Sequence, residues 1–170
     1  MTCQPFTYAD YMAKKQVRWL DEREQRAWRG FHAMRAQLIS HLGRQLQADS
    51  GISDADFEVL VAVSEAPRQR TRAVDLGQHL GWEKSRLSKQ VSRMEVRGLV
   101  RREECATDSR GSDVVLTAEG KRVITAAAPA HLVEIRKSFI DLLTPEQLDT
   151  LAEISDIVVA NLDKQQRESA

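Results

Sequence analysis

The sequence predicts a mainly α-helical fold that carries one small β-hairpin. Three observations predict it. Apolar residues recur at three- and four-residue steps along most of the 170 residues, which is the period of a helix face. That period changes once, over residues 99–116, where short runs flank a polar turn. Aromatic residues are only 5% of the chain, so Leu, Val, Ile and Ala must fill the core, as suits packed helices better than a sandwich.

The elements follow in order. Residues 1–20 are mixed, and a helix is expected from about Tyr8. Residues 21–48 contain neither Pro nor a turn cluster and are rich in helix formers. Trp28, Phe31, Met34, Leu38, Leu42 and Leu46 mark one apolar face of a long first helix. Asp49-Ser50-Gly51 breaks it. Ser53 is a suitable N-cap for a second helix over 54–65, which Ala66-Pro67 stops. Thr71 is positioned to cap a third, 73–80, and Gly81 ends that one. A fourth follows at once, 84–97, ended by Gly98. Residues 99–104 and 113–116 read as paired strands, with 106–112 as their turn. Thr117 caps a long helix to about Leu143, with Glu119 in its first turn and a kink expected at Pro129. Thr144-Pro145-Glu146 starts a last helix, whose face carries Leu148, Leu151, Ile154, Ile157 and Val158.

Two short helices joined by a tight Gly turn and followed directly by a hairpin make a winged helix-turn-helix. On the second helix, Leu87, Val91 and Met94 follow core spacing. The other side is read as presenting Lys84, Ser85, Arg86, Ser88, Lys89, Gln90 and Arg93. A helix fits the major groove of B-DNA, where Arg and Lys bond guanine and Gln pairs with adenine. Ser85, Ser88 and Lys89 can hold phosphates, which sets register without reading sequence. At the hairpin tip lie Thr107, Asp108, Arg110 and Gly111. An Arg on a slim tip can enter a narrow minor groove, and Asp108 can brace its guanidinium.

Net charge is zero, which taken alone speaks against a polyanion partner. The distribution reverses this. Residues 67–111 hold eleven basic and six acidic side chains, a net +5, against −5 over the rest. A basic middle between acidic ends is an electrostatic footprint for nucleic acid. A winged helix that uses the same basic face to bind a protein partner is the alternative.

The run LGWEKSRLSKQVSRMEVRGLVRR at 80–102 resembles the recognition region of the MarR (multiple antibiotic resistance) regulators. Asp108-Ser109-Arg110-Gly111 looks like that family's wing motif, Asp-x-Arg-(Gly/Ala). Leu116-Thr117-Ala118-Glu119-Gly120 resembles its strand-to-helix junction. The resemblance covers roughly residues 20–162 in element order. It implies a homodimer of triangular outline in which N- and C-terminal helices intertwine. It also implies repression of the protein's own or a divergent gene, and release of DNA on binding a small, often phenolic, anion. The expected division is therefore residues 1–50 and 118–170 for dimerisation, with 51–117 binding double-stranded DNA. Long flanking helices with broad apolar faces and little core of their own favour pairing independently.

For the effector, Trp28, His32 and Arg35 share a face of the first helix and can contact an aromatic carboxylate, although such a stripe also suits interface packing. Cys105 is a weak redox candidate, because Glu103 and Glu104 beside it raise a thiol pKa, although Arg101 and Arg102 can offset this. The family's oxidant sensors place a cysteine in the first helix, which has none here; Cys3 lies near the chain's start. His32, His41, His79 and His131 are scattered, so no metal or other cofactor is expected. Phosphate-loop, Gly-x-Ser-x-Gly and HExxH motifs are absent, which disfavours an enzyme. With no signal peptide and no long apolar run, the expected location is the cytoplasm.

Overall fold

A computed structural model describes residues 18–105 and 108–169, apart from the side chains of residues 105, 108–110, 166 and 169. The helix expected from Tyr8 lies largely outside these residues, as does Cys3, and the three described residues of that stretch, 18–20, are not helical. The chain divides into two compact units, Met1–Gln37 and Leu38–Ala170. Helix α1 (Glu22–Ser50) belongs to both. Its start is a reciprocal cap: the Glu24 amide donates to Asp21 Oδ1 at 2.8 Å, and the Asp21 amide to Glu24 Oε2 at 2.9 Å. In the first unit Trp28, Phe31 and Met34 are exposed on α1. In the second, Leu42 and Leu46 of the same helix are buried.

The second unit holds the core. Helix α2 (Asp54–Glu65) opens on Ser53, whose hydroxyl accepts from the Asp56 amide while the Asp56 carboxylate accepts from the Ser53 amide. Val59, Leu60 and Val63 then point inward with no exposure. A 3-10 turn, Pro67–Gln69, leads to strand β1 (Arg70–Arg72) and helix α3 (Ala73–Leu80). Helix α4 (Lys84–Val96) leads to β2 (Val100–Cys105) and β3 (Asp108–Leu116). The sheet is antiparallel in the order β1-β3-β2, with Thr71 opposite Val114 and Val100 opposite Leu116.

Strand β1 goes beyond the expected hairpin, and it corrects the reading of Thr71. That residue pairs in the sheet; Arg72 is the N-cap of α3 and makes no side-chain cap bond. Residues 108–112, expected in the turn, belong to β3. The ladder is irregular there: Glu104 faces Ser112 and Cys105 faces Asp108, so residues 109–111 have no opposite number.

Thr117 caps helix α5 (Ala118–Ser138) by accepting from the Gly120 amide at 2.9 Å. The helix continues through Pro129 but ends five residues before Leu143. Phe139, at φ −145° and ψ −63°, breaks it, and a 3-10 turn, Ile140–Leu142, follows. Arg136 and Asp141 pair across the break at 2.6 Å. Helix α6 (Pro145–Ser169) starts on a third reciprocal cap, between Thr144 and Gln147. Its residues Ile154, Ile157, Val158 and Leu162 are half or more exposed. Among the described residues no helix is long and apolar enough to cross a membrane.

Candidate nucleic-acid interface

Helices α3 and α4 are joined by only three residues. Gly81 makes the turn at φ 61°, a left-handed conformation that costs glycine little. Its amide donates to the Gln78 and Gly77 carbonyls, and the Trp82 amide to Gly77 at 2.8 Å. The turn therefore satisfies the end of α3 while setting α4 at an angle to it.

Helix α4 has two faces. Leu87, Val91 and Met94 are at most 3% exposed and pack into the core. Lys84, Ser85, Arg86, Ser88, Lys89 and Arg93 are exposed, as expected. Gln90 is not, and this corrects its placement on the outer side: it is 4% exposed. Spacing explains the difference, because Gln90 lies three residues after Leu87 and four before Met94, on the inward face. A buried partner also awaits it, since Gln90 Nε2 donates to Asp56 Oδ1 at 2.7 Å.

Seven of the cations of residues 67–111 fall into two groups. Arg70, Arg97, Arg101 and Arg102 are tied to carboxylates. Arg70 Nε donates to Asp113 at 2.8 Å and its guanidinium also meets Glu103, which Arg101 holds from the other side. Arg102 joins the wing to α4: its amide donates to Glu95 at 2.7 Å, and its guanidinium reaches the Glu95 carboxylate, the Ser92 hydroxyl and the Ser88 carbonyl. Lys84 and Lys89 form no ion pair with a described residue. Arg86 lies over the Trp82 ring, 4.1 Å from its centroid. Positive charge thus lies on the outward face of α4, while Arg70, Arg101 and Arg102 at the wing base are neutralised internally.

Trp82, Asp56 and Arg102 were not singled out in the sequence. For Trp82 a signal was present, namely its position four residues before Arg86. Asp56 and Arg102 act through partners far along the chain, which spacing does not reveal.

Asp56 is the most deeply buried charge among the described residues of this region, 2% exposed. Burial alone would raise its pKa. Bonds from the Ser53 amide and hydroxyl, and from Arg97 at 2.6 Å, outweigh burial and hold the carboxyl below its usual range. A depressed carboxyl contributes stability above about pH 4, lost as pH falls through the folded-state value. Denaturant unfolding at pH 7 and pH 3 is expected to show that loss, and Asp56→Asn to flatten it. An unchanged pH slope in the variant would count against this assignment.

At the wing tip Thr107 lies outside the described residues, as do the side chains of Asp108 and Arg110. Their backbone places 108 and 110 on β3, and Gly111 is half-buried beside them. Trp28, His32 and Arg35 lie together on α1, with the Trp28 and His32 rings 4.2 Å apart, edge to face. They form an open surface. A separate cleft of about 680 Å³ lies between α3, α4 and the sheet, and its lining includes Trp82, Lys84, Ser88 and Arg102.

This architecture, a short helix pair followed by the β2–β3 hairpin, to which β1 from just before the pair adds a third strand, defines a winged helix-turn-helix protein. The model of the MarR family matches residues 50–111. The chain is 30% identical over 126 residues to the transcriptional regulator HosA of Escherichia coli O127:H6, covering 74% of this chain and 91% of that protein. Two Streptomyces coelicolor structures are also similar. Sco3205, a MarR family transcriptional regulator solved in complex with DNA, is 42% identical at a TM-score of 0.83, over 86% of this chain and 92% of its own. AbsC, of the same family, is 40% identical at a TM-score of 0.83, over 87% and 99%. The chain belongs to the MarR family of transcriptional regulators.

Proposed function

We propose that the protein is a homodimeric repressor that binds a palindromic operator in double-stranded DNA and leaves it when a small anionic effector binds. The observation that carries this reading is the outward face of α4. It offers Lys84, Ser85, Arg86, Ser88, Lys89 and Arg93 to solvent, while Arg70, Arg97, Arg101 and Arg102 are occupied by carboxylates. Solvated lysines and arginines beside serine hydroxyls suit phosphates and guanine edges together. Sco3205, 42% identical, was solved bound to DNA, which supports the same use here. The half-exposed apolar side chains of α6, and those of α1, support pairing of two copies through residues 1–50 and 118–170. Two-fold symmetry then places half-sites about one DNA turn apart. Such a regulator works in the cytoplasm and catalyses no reaction.

For the wing, Thr107, Asp108, Arg110 and Gly111 are proposed to meet the adjacent minor groove. Arg110→Ala is expected to weaken operator binding by about 1–3 kcal/mol and leave the dimer intact. Titration of both proteins against the same duplex checks it, and equal affinities would sink the wing contact.

For the effector, Trp28, His32 and Arg35 supply aromatic faces and a guanidinium suited to an aromatic carboxylate. DNA binding by Bordetella bronchiseptica BpsR is regulated by 6-hydroxynicotinic acid, which supports ligands of this chemistry. The experiment is a mobility shift with upstream DNA, with and without 6-hydroxynicotinic acid or salicylate. Release by either supports the effector reading. A shift that neither reverses leaves the DNA reading standing and removes this class of ligand.

A further inference from the structure

We infer that Asp56 and Gln90 form a buried relay that aims the Arg93 guanidinium outward from α4, so that Asp56, on a different helix, is a positioning residue for operator reading. The inference rests on α4 being the recognition helix.

The relay follows from what each group can donate or accept. A carboxylate only accepts, whereas a Gln amide has one accepting and one donating end and can flip. Beside Asp56 Oδ1 only the Nε2 end fits, and it lies there at 2.7 Å. Gln90 Oε1 is thereby turned the other way, and Arg93 Nη2 donates to it at 2.5 Å. Asp56 cannot drift, because the Ser53 amide and hydroxyl hold Oδ2 at 2.9 and 2.8 Å and Arg97 at 2.6 Å. Arg97 in turn donates to the Gly51 carbonyl at 3.2 Å. The chain of bonds therefore runs from the turn after α1 to a cation on the exposed face of α4.

Arg93 spends one N–H on this bond, and its other donors remain for DNA. A surface arginine otherwise loses considerable rotamer freedom when it docks. Holding it in place beforehand removes part of that loss. The gain applies where geometry matters, at base edges, and not to diffuse attraction toward phosphates, which depends on charge alone.

A double-mutant cycle tests the relay, with the duplex protected by the protein upstream of its gene and a random duplex of equal length. Gln90→Met keeps the volume and leaves Asp56 with Ser53 and Arg97, so the fold survives. It is expected to lower operator affinity by about 3- to 10-fold and leave random-duplex affinity and the circular dichroism spectrum unchanged. In an Arg93→Ala background the same substitution should change nothing further. Asp56→Asn, which permits the Gln90 amide to flip, should repeat that pattern at neutral pH. Equal losses with and without Arg93, or no loss of operator affinity, would overturn the relay. A wild-type protein that does not distinguish operator from random duplex would instead overturn the reading of α4, and the relay with it.

Discussion

Gly120→Ala is expected to destabilise the protein by about 3 kcal/mol or more, lowering Tm by about 10 °C. A methyl group at this position would lie 2.0 Å from the Leu99 carbonyl oxygen and 3.0 Å from its carbon. Backbone cannot rotate away as a side-chain tip can. That same carbonyl already accepts from the Thr117 amide and hydroxyl, so it is pinned where the wing meets α5. Helix propensity favours alanine over glycine by about 1 kcal/mol, and the clash exceeds it. Gly77→Ala makes the contrast: its methyl would meet the Trp82 carbonyl at 3.3 Å and Leu87 at 3.6 Å, and small adjustments absorb that. Thermal melts of the two variants check the pair. Equal melting temperatures would show that the junction between wing and α5 is looser than described.

Ile154→Glu is expected to abolish operator binding by separating the proposed dimer. Ile154 is 54% exposed in the single chain, so a carboxylate there meets water and α6 keeps its fold. In a dimer that covers this face the same carboxylate is buried without a partner, at a cost of several kcal/mol per subunit. Leu151→Glu tests the same face from a residue already partly covered within the chain. Sedimentation with circular dichroism separates assembly from folding. A variant that stays dimeric with full affinity would move the interface off this face of α6, and a monomer that still binds tightly would remove the need for a dimer.

Where local chemistry decides, the fold was legible. The spans of α2 and α3, the Ser53 and Thr117 caps and the Thr144-Pro145 start follow from residues within one turn of each other. Strand β1 was not legible, because three residues, Arg70–Arg72, carry no alternation and gain their structure from pairing with β3 more than forty positions on. The end of α5 was misplaced for a related reason: Phe139 breaks a run of good helix formers that contains no local stop signal. In the candidate interface, the basic residues of α4 were readable from type and spacing. Gln90 was misread because its polarity suggested the surface, while its position one turn from Leu87 and Met94 put it inside. The deciding partner, Asp56, lies 34 residues away.

The most direct test is fluorescence anisotropy of the protein against duplex DNA from upstream of its own gene, over a salt series with random duplex as competitor. Binding by two subunits per site, preference over the competitor, and a salt slope corresponding to about 6–10 phosphates are the expected result. No binding at low salt, or binding without salt dependence, would contradict a DNA-reading face on α4 and point instead to a protein partner for it.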